Sequence, residues 1–276
     1  MLQVNITIDD PRWERLATTI SAYPNALIAF SGGLDSSFLL FAAHRVLGGR
    51  AIGVIAVSPA VPQWDLDNAR SLRDALGLNV RFLTTDLLNN DNYAENTPLR
   101  CYYCKEDLYR RLHDMRDREG WAVIFNGTVT DDLGDYRPGL RAAEDARVTS
   151  PYLEAELSKN DVRDLTRLFG LPFSDRPSSP CLASRIPHGT RVTLASLRRV
   201  QSAESALRAL GFREVRVRHI GDTARVELGD TDWARSSLEG PRERIIAEVR
   251  NHGYRQVTIA RYQPSGSRIL NPQPFR

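Results

Sequence analysis

A chain of 276 residues, 42% apolar and 26% charged, has the make-up of a folded protein with room for one large domain or two ordinary ones, which excludes the disordered and fibrous classes. No apolar run approaches the roughly 18 residues of a membrane span, the start "MLQVNITIDDPRWERL" lacks the regions of a secretory signal, and three cysteines are too few for a disulfide scaffold, so a reducing, cytoplasmic setting is expected. The net charge of +3 conceals a division: residues 1–184 carry 20 Lys/Arg against 25 Asp/Glu, residues 185–276 carry 17 against 9, and the C-terminal excess suits either an anionic partner or a solvated arginine-rich surface.

The apolar run "ALIAF" (26–30) ends at Gly-Gly and reads as a buried strand, and "SSFLLFAAHRVLG" reads as a helix ending at Gly48. Strand "AIGVIAVS" (51–58), helix 65–77, strand 80–86, a helix over roughly 104–118 and strand 122–126 follow, then helix 158–170 with Ser158 as N-cap. This alternation predicts an α/β fold: a doubly wound, mostly parallel sheet. After residue 171 four prolines and little periodicity mark a crossing loop. Helix 193–210, strands 213–219 and 223–228, helix 241–252 and strand 254–260 then predict a smaller α+β domain. The expected division is 1–184 and 185–276.

"FSGGLDSS" (30–37) joins the first strand to the first helix. Gly32 and Gly33 let the backbone approach an oxyanion, successive N–H groups and the helix N-terminus form an anion nest, and Ser31, Ser36 and Ser37 add hydroxyls. It is not a Walker A loop, having no GK[ST] and no lysine nearby in sequence. The string resembles the PP-loop of ATP pyrophosphatases, which cleave ATP between the α and β phosphates. That resemblance implies pyrophosphate on the loop and Mg²⁺ beside Asp35. Ser58, ending the second strand, is a candidate nucleotide contact or an ordinary turn residue.

"NGTVTDDLGDYRPG" (126–139) follows another strand and offers Gly127, Asp132 and Arg137 as nucleotide contacts. Asp131 joins Asp35 as a candidate Mg²⁺ ligand. "RCYYCK" (100–105) and "SSPCLASR" (178–185) hold all three cysteines: Cys101, Cys104 and Cys181. Cys104 and Cys101 alone suit redox chemistry, a metal clamp or burial equally. Cys181 lies on a proline-bounded loop near Arg185, a setting that favours a thiolate. "RVRHIGDTARVELGD" (216–230) alternates Arg216, Arg218, Arg225 and Glu227 against apolar residues, which predicts outward strand faces. They are either solvated or, for Arg216 and Arg218, a phosphate clamp, with Glu227 a further candidate metal ligand.

Together these segments resemble the LarE family, the ATP-dependent sulfur transferases of nickel-pincer cofactor biosynthesis. The resemblance implies adenylation of a carboxylate of pyridinium-3,5-biscarboxylic acid mononucleotide by MgATP, loss of pyrophosphate, and sulfur insertion to give the thiocarboxylate. It makes Cys181, Asp35 and Arg185 the catalytic candidates. It also implies a homohexamer. Cys101, Cys104 and Cys181 match the branch whose three cysteines carry a [4Fe–4S] cluster with an open iron for sulfide or another sulfur donor. In the other branch Cys181 would sacrifice its own sulfur. Two readings from other classes remain: tRNA thiolation, ranked lower because no RNA-binding module is visible, and zinc binding with His113 or His188 as fourth ligand.

Overall fold

Four short apolar segments become one parallel sheet in the order β3-β2-β1-β4: β1 Ala26–Ala29, β2 Ala51–Val57, β3 Val80–Thr84 and β4 Val123–Phe125. The computed structural model describes residues 8–134, 138–174, 179–236 and 240–263. Arg137, an expected nucleotide contact, lies outside them. The helices of this part are α1 Pro11–Ser21, α2 Leu34–Leu47, α3 Gln63–Leu76, α4 Asp91–Ala94, α5 Arg100–Glu119, α6 Pro138–Asp145, α7 Pro151–Glu154 and α8 Lys159–Leu168. Both sheet faces are covered. Ala26, Ile28 and Phe30 pack with α1, α2, α3 and α8, while Leu27 and Ala29 pack with α5 and α6. Such a sheet needs near-continuous apolar strands, which is why "ALIA" is buried throughout.

α1 is absent from the expected elements, although Asp10 caps it through the Arg12 N–H (2.9 Å) and Pro11 opens it. α5 begins four residues before its expected start. Cys101 and Cys104 therefore stand in the first two turns of a 20-residue helix, three positions apart and on one face.

The chain divides into two compact units, Met1–Cys181 and Leu182–Arg276. Residues 182–185 belong to the second because Arg185 and Ser184 are bonded into it: Arg185 to Glu204, and the Ser184 carbonyl to Arg218. This unit holds α9 Leu194–Ala209, β5 Val215–Ile220, β6 Thr223–Leu228, α10 Asp230–Ser236, α11 Pro241–Asn251 and β7 Gln256–Arg261. β5 and β6 are antiparallel, β6 and β7 parallel, and α9 and α11 cover one face through Leu207, Ile245 and Val249.

Candidate active site

Gly32 makes the turn out of β1 with φ +76°, a conformation that glycine takes without a Cβ penalty. Gly33 then caps α2 with no side chain on the helix end, so its first N–H groups remain available to an anion. Ser31 and Ser36 brace the loop with their hydroxyls 3.0 Å apart. A cavity of about 400 Å³ opens over it, lined by Ser31, Gly33, Asp35, Ser36, Gly127 and Asp132 among others. Ser37 is 1% exposed with its hydroxyl buried and unpartnered, and it is not among the residues lining the cavity over the loop; the fourth residue of the helix faces the core.

Three elements converge on Asp35. The fully buried Tyr152 of α7 donates to its carbonyl (2.8 Å). Gly127 passes so close that a Cβ there would lie 3.3 Å from Asp35 C, Asp35 Cβ and Ser36 N. Lys159, the first residue of α8, ion-pairs with Asp35 Oδ2. The other oxygen, Asp35 Oδ1, is buried without a hydrogen bond. A buried carboxylate oxygen without a donor, on a residue that lines the cavity, suits a cation, so the residues fit Mg²⁺ at Asp35. Asp131 does not join it. Its Oδ2 accepts the Lys159 backbone N–H (2.6 Å), because the short 3₁₀ turn Thr130–Gly134 sends Asp132, not Asp131, to the cavity wall.

A second cavity, about 330 Å³, adjoins the first and shares Ser31, Cys101, Lys105 and Gly139 with it. Its wall is mostly apolar, with Phe30, Ile55, Val61 and Leu108, and it includes Ser58. The Ser58 hydroxyl also accepts from Ala60 N–H (3.3 Å), so it is a turn residue as well as a wall residue. All three cysteines line this cavity. Ser179 brings Cys181 there by donating to Asp65 of α3 (2.7 Å). Burial, then the neighbouring Cys181 thiol, push the Cys104 thiol up to about 12. Three thiolates side by side thus require cationic compensation. Soft thiolates around one cavity fit an iron–sulfur cluster, whose ligands stand further apart than those of a single ion. Among the described residues, no three His, Cys, Asp or Glu side chains close on one point as ligands of a single ion would. His113, considered for zinc, instead bonds the Ala146 carbonyl at 2.7 Å.

Both lysines of the chain reach this region, although neither is near the loop in sequence: Lys105 lines both cavities and Lys159 holds Asp35. Composition carried the signal. In a chain that otherwise uses arginine for every basic position, two retained lysines mark places where a compact ammonium is wanted. Arg100 and Tyr93 line the cysteine cavity and were also missed.

Arg185, Arg216, Arg218 and Glu227 lie in the second compact unit and differ from expectation. Arg185 is buried and holds buried Glu204 with two bonds (2.8 and 3.1 Å), which makes it a structural anchor of this unit. Arg216 is buried, its guanidinium 3.5 Å from the centre of the Tyr262 ring. Glu227 is fully buried between Arg218 (2.9 Å) and Arg225 (3.7 Å), so its charge is met by guanidinium and it offers no open seat for a metal. Period-2 alternation assigns residues to a face correctly but cannot tell that the second face is covered too.

No family model matches the chain. It is 36% identical over 250 residues to an uncharacterized protein of Synechocystis, covering 91% of this chain and 93% of that protein. It is also 36% identical over 245 residues to the pyridinium-3,5-bisthiocarboxylic acid mononucleotide synthase of Lactiplantibacillus plantarum, covering 88% of each. A more distant likeness, 27% over 225 residues, is to the tRNA-specific 2-thiouridylase MnmA of Azorhizobium caulinodans, spanning 68% of this chain and 57% of that protein.

Proposed function

Because the chain belongs to the LarE family of ATP-dependent sulfurtransferases, which includes the pyridinium-3,5-bisthiocarboxylic acid mononucleotide synthase, we propose that it converts a carboxylate of a pyridinium mononucleotide to a thiocarboxylate. One observation carries this reading: the phosphate cavity and the three-thiol cavity share a wall. Activation and sulfur delivery can then act on one carboxyl carbon without moving the substrate far.

A carboxylate is a poor electrophile, so it must first acquire a leaving group. A carboxylate oxygen attacks the α-phosphorus of ATP, the α–β bridging bond breaks, and pyrophosphate leaves with that electron pair. The uncapped N–H groups of the α2 terminus would receive the departing charge, and Lys105 would add an ammonium. Asp35 would hold Mg²⁺, with Lys159 fixing the orientation of the carboxylate through their ion pair. A sulfur nucleophile then adds to the acyl carbon and AMP departs with the C–O bonding pair, leaving a thiocarboxylate. With hydrosulfide as nucleophile, one proton is released and no electrons change hands.

Cys101, Cys104 and Cys181 would hold a [4Fe–4S] cluster, which supplies an iron position for an exogenous sulfur. The alternative, sacrifice of Cys181 sulfur, needs only one thiol; the gathering of all three on one cavity favours the cluster. Anaerobic iron and acid-labile sulfide assays, run with pyrophosphate release on the pyridinium dicarboxylate mononucleotide, test this. About four irons per chain and repeated turnover with sulfide are expected. An iron-free anaerobic protein that turns over once and loses one sulfur from Cys181 would refute the cluster reading. Absence of pyrophosphate with that substrate would refute the activity.

A further inference from the structure

Asn126 follows β4 directly, beside the carboxyl end of β1, and is 5% exposed. Its backbone is pinned, the N–H donating to the Thr149 carbonyl at 2.9 Å. Its side-chain oxygen accepts twice, from the Thr128 N–H (3.1 Å) and from the Ser150 hydroxyl (2.7 Å). A backbone N–H can only donate, so the amide oxygen is the atom that meets Thr128 and the amide nitrogen is turned the other way. Among the described residues that nitrogen donates to nothing. Nor is it sealed among protein atoms: Asn126 lines both the phosphate cavity and a side cavity of about 300 Å³. An amide clamped by its oxygen and open at its nitrogen is a fixed donor that lacks its acceptor.

Two cavities compete for that donor. The side cavity carries Glu144 and Glu154, neither paired with a basic side chain among the described residues, and two such carboxylates repel an anion. The carboxylates of the phosphate cavity are engaged: Asp35 with Lys159, and Asp132 as acceptor of the Val129 N–H. An anionic acceptor therefore belongs on the phosphate side. Strand order also selects which phosphate. The cavity with Ser58 and the end of β2 lies on one side of β1, β4 lies on the other, and Asn126 does not line the Ser58 cavity. A nucleotide whose base lies on the β2 side meets Asn126 with its far phosphates, and those are the ones that depart.

We propose that the Asn126 amide donates to the leaving pyrophosphate from the β4 side of the PP-loop. The identity of the ligand rests on the adenylation reading; the donor rests on the hydrogen-bond pattern. As the α–β bond breaks, its electron pair goes to the pyrophosphate, and a donor already in place meets the added charge without reorganising. Ser150 and the Thr128 N–H act through Asn126, by aiming its amide.

The full chain is titrated calorimetrically with inorganic pyrophosphate and Mg²⁺, and separately with AMP. Asn126→Asp keeps an oxygen for Thr128 and Ser150 and removes only the donor, so the melting midpoint should hold. Its affinity for pyrophosphate should fall at least about tenfold, as loss of a hydrogen bond to a charged group does, while its affinity for AMP is kept. As pH is lowered the introduced carboxylate takes up a proton and can donate again, so the deficit relative to wild type should shrink; a merely structural role gives no such recovery. Ser150→Ala, which frees the amide to turn, should show the same pattern with a smaller loss. Equal pyrophosphate affinity in wild type and Asn126→Asp overturns the proposal, as do matching losses for AMP and pyrophosphate or a wild type that binds no pyrophosphate. Pyrophosphate release from ATP with the pyridinium dicarboxylate mononucleotide is followed on the wild type in parallel, so that failure of the adenylation reading is seen separately.

Discussion

Arg185→Met should unfold the second compact unit long before it reports on catalysis. Arg185 and Glu204 expose 2% and 0% of their side chains, and the Val217 N–H donates to the same carboxylate at 2.8 Å. Removing the guanidinium leaves a buried carboxylate with that single backbone donor in place of three bonds. Breaking a buried pair from one side costs about 3–5 kcal/mol. For a unit of about 95 residues each kcal/mol moves the melting midpoint by about 4–8 °C, so a fall of at least about 12 °C is expected. Replacing both partners, Arg185→Met with Glu204→Leu, removes the stranded charge. It should recover most of the loss, leaving about 1–3 kcal/mol for the Val217 N–H without an acceptor. Urea denaturation followed by circular dichroism, with calorimetry for the midpoint, measures both. An Arg185→Met protein that melts like wild type but no longer transfers sulfur would refute the structural assignment and restore a catalytic one.

Gly127→Ala should disturb the PP-loop by about 1–3 kcal/mol, because the new methyl meets backbone at 3.3 Å and Tyr152 holds that backbone in place; the readout is a raised KM for ATP, and wild-type kinetics would contradict it. Lys159→Met leaves Asp35 without its ammonium and should slow pyrophosphate release about 10²–10³-fold at saturating Mg²⁺, measured by a coupled pyrophosphate assay; an unchanged rate would remove Lys159 from the site. In the metal-free protein the Cys104 thiol is raised from 9.0 to about 12, so the folded state keeps a proton that the unfolded chain releases. Its contribution to stability is whole below about pH 9 and is lost as pH rises toward about 12. Urea midpoints between pH 8 and 11 should fall in the wild type and fall less steeply in Cys104→Ala; parallel slopes would contradict the shift.

Strand and helix order was legible because the first unit buries both faces of a parallel sheet. Continuous apolar runs such as "ALIA" and "AIGVIAV", broken by Gly-Gly and helical periods, leave few alternatives. The loop "SGGLDSS" was legible because a glycine turn with a bare helix end must follow a strand directly. Local spacing also showed Cys101 and Cys104 as a close pair, though not that both belong to α5. What it could not do was place residues remote in sequence: Lys159 lies 124 positions from the carboxylate it holds.

The sequence by itself determined the phosphate loop, its family and the presence of three thiols, because each is written in a contiguous string. Only the tertiary structure decided which groups share a chamber. It brought Cys181 to Cys101 and Cys104 through Ser179 and α3, and delivered both lysines to the nucleotide side. It also withdrew Arg185, Arg216 and Glu227 into the interior of the second unit. Burial is a property of what packs above a residue, and no window of neighbouring letters contains it.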